Sequence, residues 1–410
     1  QRSFVVEVMG RNCGYLAMMG ALAAGADWVF IPENPPEADL WREEMCRELN
    51  EGRKAGRRDS IVVLAEGAID REGTPITSQD VKETLEERIG EETRITILGH
   101  VQRGGSPSGF DRNLGTILGH AAVHHLLNSK PEDEPHLIGM RGNRVNSTPM
   151  MESVELTKKV SSLSEENEYQ EVMRLRGESF QATYEILRTF FQEGPRPEKE
   201  PDPSCRIAVM HAGAPAPGMN TAVRAAVRWG RNQGHTVLGV YNGFPGLMEA
   251  DLKEMGWMDV SGWVNLGGAE IGTNRVMPSD GDFYAIARTI DQEQIDALLV
   301  IGGETGYDAV YEMYSRRREF PSFNLPIVCL PATIDNDRPG SELSIGADTA
   351  LNSIVWAVDQ IKQSAVASRR SFVVETMGGY CGYLTLMGGM ATGAERVYLH
   401  EEGISLADLQ

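Results

Sequence analysis

An internal repeat constrains this chain more than any other feature of its sequence. The 32 residues that begin at Arg2, RSFVVEVMGRNCGYLAMMGALAAGADWVFIPE, recur as RSFVVETMGGYCGYLTLMGGMATGAERVYLHE from Arg370. Nineteen of the 32 aligned positions are identical, and the copies are offset by 368 residues. A period of that size indicates a duplicated domain rather than a solenoid unit. We therefore expect a parent of at least about 700 residues, with this chain beginning inside copy one and ending inside copy two.

Composition narrows the class of protein. The formal charge of −20 argues against nucleic acid as a partner, because a mostly acidic surface repels phosphate backbones. No stretch of about 20 apolar residues could span a bilayer. The five cysteines are scattered and form no CxxC pair, which suits reduced thiols rather than a disulfide framework or a zinc site. These features predict a cytoplasmic protein that binds neither nucleic acid nor membrane.

Strand-like and helix-like segments alternate on both sides of a linker. Apolar runs such as SFVVEVM, DSIVVLAEG, RIAVM and IDALLVIGG are separated by helical patterns. This alternation predicts an α/β fold of doubly wound parallel sheets with helices on both faces, in two homologous halves that are each incomplete. Helical patterns and the Pro-rich, charged run EGPRPEKEPDPS separate the halves. The predicted domains are 1–150 and 206–410, joined by a linker over 151–205.

Charged and polar side chains follow the predicted strands of the first domain. Glu66 ends the run IVVLAEG, and ETRITILGHVQRGG supplies Arg94, His100, Gln102 and Arg103. Open α/β sheets bind ligands at the carboxyl edge of their strands, and a guanidinium beside a Gly-Gly backbone suits a phosphate monoester. The pattern therefore predicts an anion site, with solvated surface charges as the alternative.

The two copies of the repeat differ in the turn that follows their first apolar run. The turn Met9-Gly10-Arg11 directly follows SFVVEV, so the Arg11 guanidinium could reach a bound anion, although an ordinary turn with a surface arginine explains it equally well. In the second copy the same turn reads Met377-Gly378-Gly379. The loss of the guanidinium predicts that the two copies do different work at this position.

Two more turns in the second domain have residues suited to phosphate chemistry. In PATIDNDRPGS, Asp335 could accept a proton from an attacking hydroxyl and Asp337 could position a metal or the loop, although Asn and Asp also form ordinary polar turns. IGGETG and HAGAPAPGMN are Gly-rich turns ahead of helices, which can cradle phosphate oxygens. Arg224 and Arg228, one turn apart on the following helix, are interpreted as solvated charges.

Taken together, these motifs resemble the ATP-dependent 6-phosphofructokinases, in the long form built from two homologous halves. The motifs MGR, ETR…GHVQRGG, GxxAPGMN, IGG and TIDND occur here in that order. The resemblance implies transfer of the ATP γ-phosphate to fructose 6-phosphate with Mg²⁺, giving fructose 1,6-bisphosphate in glycolysis. It also implies an allosteric enzyme whose second half regulates the first.

The resemblance also assigns residues to sites. Residues that correspond to the family's fructose 6-phosphate site in the catalytic half are Met9, Gly10, Arg11, Glu66, His100, Gln102 and Arg103. Arg2 and Arg94 are expected to reach across an interface into a facing site, which implies a homo-oligomer, expected to be a tetramer. Residues that fall on a fructose-bisphosphate-type effector site are Arg275, Thr333, Asp335, Asn336, Asp337, Arg370, Met377, Gly378 and Gly379.

The second half departs from the catalytic pattern of that family. The family's glycine loop reads GGDGS, whereas the loop Gly302–Gly306 reads GGETG here. An added methylene displaces the carboxylate enough to disturb metal geometry. Asp335, the family's catalytic base, is nevertheless retained, so residual catalysis in this half stays open. We expect the chain by itself to bind sugar phosphates poorly and to catalyse little, because no first-half glycine loop or base is present in it.

Three other hypotheses stay open at this point. One is a non-catalytic protein that binds sugar phosphates or an effector. Another is a composite in which copy-two elements with Asp335 dock onto the copy-one segment with Arg11 and Arg103, completing one site. A pyrophosphate-dependent relative is the third, because most of the residues that choose the phosphoryl donor lie outside this sequence.

Overall fold

A computed structural model describes residues 2–57, 59–197, 204–403 and 407. Within these ranges the chain forms a four-stranded sheet, a five-stranded sheet and a two-stranded hairpin. Across the same residues, no helix is both long and apolar enough to cross a membrane.

The first sheet is parallel and has helices on both faces. Its strands are β1 (Arg2–Val8), β2 (Trp28–Phe30), β3 (Ser60–Ala65) and β4 (Glu92–Ile97), in the order β2-β3-β1-β4. Its helices are α1 (Tyr15–Ala24), α2 (Trp41–Lys54) and α3 (Ser78–Ile89). Alternate residues of β3 face opposite cores, with Val63 in the core beside α1 and Val62 in the core beside α2 and α3.

A helix, a hairpin and three more helices follow the first sheet. They are α4 (Gly109–Asn128), β5 (His136–Arg141), β6 (Arg144–Pro149), α5 (Met150–Glu165), α6 (Tyr169–Arg176) and α7 (Glu178–Phe191). Apolar residues of α6 and α7, including Met173, Phe180 and Leu187, complete the α1-side core of the first sheet. The helical part of the predicted linker is therefore packed rather than extended. The Pro-rich stretch 198–203 lies outside the described residues, and the predicted domain boundaries remain predictions.

The second sheet is parallel except at one edge. Its strands are β7 (Arg206–Ala212), β8 (Thr236–Val240), β9 (Leu252–Glu254), β10 (Ala297–Gly302) and β11 (Ile327–Pro331), in the order β11-β10-β7-β8-β9 with β9 antiparallel. The helices are α8 (Met219–Asn232), α9 (Phe244–Glu249), α10 (Asp282–Gln292), α11 (Glu304–Ser315), α12 (Ala347–Ser368) and α13 (Tyr383–Thr392). Separate cores cover its two faces. The predicted doubly wound α/β class is confirmed.

The two copies of the repeat share a turn and a helix but not a strand. Helices α1 and α13 occupy equivalent positions, and the preceding glycines Gly10 and Gly378 have φ of 142° and 128°. RSFVVE forms the central strand β1 in copy one, whereas residues 370–375 are irregular. Val5 is completely buried and its equivalent Val373 is 98% exposed. Strand formation here depends on neighbours, because β1 is paired on both sides and residues 370–375 pair with no strand among the described residues.

Helix α4 of copy one packs against α12 and α13 of copy two. The Arg112 guanidinium bonds both carboxylate oxygens of Asp359, at 2.9 and 2.6 Å. The Gly109 N–H donates to Asn352 Oδ1 at 3.0 Å. A Cβ added at Gly109 would lie 3.1 Å from Leu351 Cγ, so the two helices are in close contact there. Copy-two helices therefore dock onto a copy-one helix. None of these contacts joins Asp335 to Arg11 or Arg103, so the composite hypothesis stays a prediction.

Candidate functional site

Three loops meet where the neighbouring strands β3, β1 and β4 end. Parallel register places Ala65 beside Val8 and Ile97 beside Glu7, so the loops that follow leave the same edge of the sheet. The Met9 N–H donates to Gln102 Oε1 at 2.8 Å. The Gly10 N–H faces Glu66 Oε1 at 3.4 Å. The Met-Gly-Arg turn is thus held between the β3 loop and the β4 loop, as expected from the carboxyl-edge rule.

Close backbone packing fixes the Arg11 turn. A Cβ added at Gly67 would lie 1.9 Å from the main-chain oxygen of Arg11, so only glycine fits there. The side chains of Arg11, Glu66, His100 and Arg103 are exposed at this open edge. None of the Arg11, His100 and Arg103 side chains has a hydrogen bond or salt bridge within the described residues. The edge therefore presents two unpaired guanidinium groups to solvent, those of Arg11 and Arg103, which suits an anionic ligand.

Arg2 and Arg94 lie in the amino-terminal parts of β1 and β4, so the prediction that Arg94 follows its strand at the carboxyl edge is wrong. Arg2 is paired in register with Glu92, and both guanidinium groups contact the Glu92 carboxylate, at 3.3 Å from Arg2 and 3.1 Å from Arg94. Hydrogen bonding to Arg94, together with the charge of Arg2, lowers the pKa of Glu92. Arg2 begins a seven-residue strand that is about 20 Å long, so Arg2 cannot share a small ligand with Arg11 of the same chain. The Arg94 guanidinium contacts Glu92 at that same end of the sheet.

The second sheet brings its Gly-rich turns together at a topological switch point. Strands β8 and β10 follow β7 on opposite sides, and ligands of open α/β sheets bind at such a crevice. The Gly303 N–H donates to the main-chain oxygen of Ala212 at 3.3 Å, and a Cβ on Gly302 would lie 1.8 Å from that oxygen. Thr333, after β11, lies next to Gly303. The IGG and TIDND motifs therefore border one crevice.

The two aspartates of this crevice have different environments. Burial and the neighbouring Asp337 charge raise the pKa of Asp335, while the Arg275 charge partly opposes that shift. The Asp335 N–H donates to Thr333 Oγ1 at 3.2 Å. Asp337 accepts a hydrogen bond from Arg338, which lowers the pKa of Asp337. Asp335 is thus the carboxylate suited to accept a proton, and Asp337 is committed to an ion pair.

Arg338 borders this crevice but is not among the site residues that the sequence motifs predicted. Its guanidinium contacts Asp337 and lies 4.0 Å from the carboxylate of Glu304, the residue that replaces the usual loop aspartate. The only signal in the sequence is the position of Arg338 directly after TIDND. A cation between these two acids does not suit Mg²⁺, whose ligands are oxygens. No cluster of three metal-ligating side chains occurs at this crevice within the described part of the chain.

Only some of the remaining predicted effector residues are brought to this crevice. Asn336 has a φ of 53° and donates from its side chain to the Glu342 oxygen at 3.0 Å. The loop that contains Met377, Gly378 and Gly379 reaches this turn through Cys381, whose Sγ lies 4.0 Å from the Asn336 oxygen. Arg370 is exposed after α12, and none of its described contacts joins it to the crevice.

A buried arginine cluster lies between the two halves. Arg224 and Arg228 are 5% and 3% exposed, so their interpretation as solvated charges is wrong. They lie over the rings of Phe190 and Trp257, at 4.7 and 5.0 Å. Burial and the positive charges nearby lower the pKa of Arg224 to about 10 and of Arg228 to about 9. Packing by the linker helix α7, which sequence periodicity cannot place, covers both residues.

Asp27 and Arg57 of the first half complete this cluster. Their ion pair spans 2.8 Å, and Arg57 also donates to the main-chain oxygen of Gln192 at 2.6 Å. The charge of Asp27 acts on both Arg224 and Arg228. One carboxylate therefore faces three guanidinium groups in the boundary between the halves.

Two doubly wound sheets with Gly-rich turns at their carboxyl edges place the chain in the class of open α/β proteins. A family model described as "Phosphofructokinase" matches residues 1–126 and 206–410. The chain belongs to the phosphofructokinase family, and the predicted family membership is confirmed.

The relatives and solved structures that match the chain are longer than the chain itself. It is 47% identical to the muscle-type ATP-dependent 6-phosphofructokinase of Homo sapiens over 411 residues, and 47% identical to the platelet type of Rattus norvegicus over 412. Each match covers the whole chain and 52% of the relative, so the chain spans about half the length of these proteins. A phosphofructokinase structure from Saccharomyces cerevisiae matches the whole chain at 41% identity with a TM-score of 0.96, covering 54% of that chain. The Pichia pastoris enzyme in the T-state matches at 43% identity and a TM-score of 0.92, covering 44%.

Proposed function

We propose that the whole protein is an ATP-dependent 6-phosphofructokinase, a cytoplasmic glycolytic phosphotransferase that converts fructose 6-phosphate to fructose 1,6-bisphosphate. Family membership and the named relatives support the reaction. The observation that carries the substrate site is the turn at Met9 and Gly10, which is held between Gln102 and Glu66 beside unpaired cationic groups. Mg²⁺ with ATP is proposed for the whole protein on the basis of family membership. The crevice of the second sheet has no cluster of three metal-ligating side chains within the described residues.

Each residue of the first edge has a proposed task in binding and orienting the sugar phosphate. Arg103 neutralises the 6-phosphate, since a guanidinium matches phosphate oxygens in a bidentate manner. Glu66 accepts hydrogen bonds from sugar hydroxyls, and His100 donates or accepts one. Arg11 stabilises charge on the transferring phosphoryl group. The site is lined by Met9, Gly10 and Gln102, which hold these side chains in position.

Arg2 and Arg94 act on the substrate of a facing subunit in this proposal. Their contacts with Glu92 support it, because Glu92 lies at the amino ends of β1 and β4, and the amino end of β1 is about 20 Å from their own chain's site. A residue that completes a neighbour's site requires a homo-oligomer, and we propose a tetramer.

The second half is proposed to bind a fructose-bisphosphate-type effector. Thr333, Asp335, Asn336 and Asp337 border its crevice, with Arg275 close enough to affect the Asp335 charge. The ion pairs of Arg338 support a regulatory role, because they occupy the acids that a metal-dependent transfer needs. Arg370 and the turn 377–379 complete the proposed effector site if this segment forms a strand, as its repeat does.

Binding of fructose 6-phosphate to the 410-residue chain tests the substrate site. Calorimetric titration of the wild type should show binding, and Arg103→Met should weaken it by about tenfold or more, since a hydrogen bond to a charged group contributes about 1.5–3 kcal/mol. Arg141→Met, on the hairpin, is the matched control and should bind like the wild type. Equal binding by Arg103→Met would overturn the assignment of the site.

Turnover separates the enzyme from the non-catalytic alternative. The whole protein should phosphorylate fructose 6-phosphate with ATP and Mg²⁺ and should not use pyrophosphate. The chain by itself should turn over little. Binding without turnover by the whole protein would favour a sugar-phosphate-binding module, and turnover with pyrophosphate would favour the pyrophosphate-dependent relative.

A further inference from the structure

Half of the histidines of this chain lie on helix α4 and the hairpin that follows it. The chain has eight histidines, and this corner holds His120, His124, His125 and His136. None of these residues belongs to either of the carboxyl-edge sites described above. An acidic turn, residues 132–134, connects the helix to the hairpin.

His125 and His136 form a preorganised pair of imidazoles. Their ring centroids are 4.8 Å apart, and the rings are inclined by 47°. Two imidazoles bound to one tetrahedral zinc ion have centroids about 5 Å apart, given a Zn–N bond near 2.0–2.1 Å. The pair therefore has the spacing of two ligands of a single ion, although one ring lies on α4 and the other on β5.

Ser147 on β6 orients one of these rings. Its Oγ lies 2.8 Å from His136 Nδ1. In the tautomer whose Nδ1–H donates to Ser147 Oγ, Nε2 is the nitrogen with a free lone pair. Histidine ligands of metal ions usually have such a partner at the other ring nitrogen.

Carboxylates border the same space. A cavity of about 590 Å³ is lined by both imidazoles and by Glu132, Asp133 and Glu134. One oxygen of Asp133 accepts the Lys130 N–H at 2.7 Å. Glu132 and Glu134 have no hydrogen bond or salt bridge within the described ranges. Both are exposed, so a carboxylate can rotate toward an ion held by the two rings.

We propose that His125 and His136, with a carboxylate from the turn 132–134, bind a divalent transition-metal ion of the zinc class. Two imidazoles and a carboxylate suit Zn²⁺, whereas Mg²⁺ and Ca²⁺ prefer oxygen ligands alone. Water completes the coordination, because the corner is open to solvent. The ion links the end of α4 to the hairpin, two elements separated by only a short turn.

Zn²⁺ competition titration against a chromophoric chelator tests this site, with Co²⁺ absorption as a second readout. The wild-type chain should bind one ion and, with Co²⁺, show the visible bands of a site with nitrogen ligands. His125→Gln/His136→Gln should abolish both signals. Ser147→Ala should weaken binding by about tenfold through the loss of the orienting hydrogen bond. Circular dichroism without metal should be unchanged in both variants.

The helix pair His120 and His124 supplies the decisive control, since histidines four residues apart on a helix can also chelate. His120→Gln/His124→Gln should retain the Zn²⁺ affinity and the Co²⁺ spectrum. Loss of both signals in that variant, with retention in His125→Gln/His136→Gln, would overturn the proposal. Absence of Zn²⁺ binding by the wild type would overturn it as well. Neither result bears on fructose 6-phosphate binding, because the two sites share no residue.

Discussion

The main-chain N–H of Met9 donates a 2.8 Å hydrogen bond to Oε1 of Gln102, 93 residues further along the chain. This bond connects the turn after β1 to the loop after β4 at the carboxyl edge of the first sheet. Arg103 directly follows Gln102, and Arg11 is the last residue of the Met-Gly-Arg turn. The same bond therefore fixes the backbone beside both unpaired guanidinium groups. The bond joins two loops of the edge itself, so it can preorganise the proposed anion site.

Removal of this contact should weaken substrate binding without unfolding the chain. Gln102→Ala deletes the acceptor at the Met9 N–H, and a net hydrogen bond contributes about 0.5–1.5 kcal/mol. We expect fructose 6-phosphate affinity to fall by roughly three- to tenfold at an unchanged thermal midpoint, measured by calorimetry and circular dichroism. Gln79→Ala removes an exposed glutamine of α3 that bonds only Glu83 and should leave the affinity intact. Similar losses in both variants would contradict the positioning role of Gln102.

A methyl group at Gly67 should displace the Arg11 turn. The added Cβ would lie 1.9 Å from a main-chain oxygen, which cannot move aside like a flexible side chain. We expect Gly67→Ala to destabilise the fold by about 1–3 kcal/mol and to abolish measurable sugar-phosphate binding. Gly115→Ala, in α4 with open space around its Cα, should instead stabilise the chain by up to about 1 kcal/mol. Urea unfolding measures both variants, and a neutral Gly67→Ala would show that the turn is loose.

Low pH should weaken the ion pair between Arg112 of copy one and Asp359 of copy two. Hydrogen bonding from Arg112 lowers the pKa of Asp359. A lowered carboxyl pKa means that the pair stabilises the fold above the pKa of the unfolded chain and loses that effect as pH falls through the folded pKa. Asp359→Asn should therefore cost about 0.5–1 kcal/mol at neutral pH and nothing at strongly acidic pH. The double variant with Arg112→Met should show the two losses to be non-additive in urea unfolding at neutral pH, and additive losses would contradict the pair.

The sequence predicted the alternating fold and the loops at the carboxyl edges, because both depend on local patterns. Strand periodicity located β1, β3, β7 and β10, and the carboxyl-edge rule placed Glu66 and Gln102 near Met9. Local pattern cannot decide between strand and coil for RSFVVE, which has both structures in one chain. Val5 is buried because two strands flank it, whereas the described residues provide no strand beside Val373.

Long-range packing explains what the sequence did not predict. The helical spacing of Arg224 and Arg228 is typical of a solvated face, yet α7 covers them. The ion pair of Arg338 with Asp337 depends on the turn conformation after β11. Such contacts arise between segments whose approach no local periodicity encodes.

The buried arginine cluster leads to a prediction about the stability of the boundary between the halves. Asp27 is the carboxylate that faces Arg57, Arg224 and Arg228 there, so Asp27→Asn leaves buried guanidinium groups uncompensated. Breaking a buried pair by removing one partner costs about 3–5 kcal/mol. We expect a loss of that size in urea unfolding.

Removal of a guanidinium group from this cluster should not lower the free energy of unfolding in the way that removal of the carboxylate does. Arg228 Nε is buried and has no hydrogen-bond partner among the described residues. Burial, with the positive charges of Arg224 and Arg57, lowers the Arg228 pKa. Arg228→Met keeps the aliphatic volume and relieves that repulsion, although the bond from Arg228 to the Phe190 oxygen at 3.0 Å is lost. The free energy of unfolding should therefore change by less than about 1 kcal/mol or rise, as replacements of buried charges by apolar residues often do. Asp39→Asn, at an exposed aspartate, is the control and should leave the free energy of unfolding unchanged. If Arg228→Met destabilises the chain as much as Asp27→Asn does, the positive and negative charges of the cluster are balanced and the prediction is wrong.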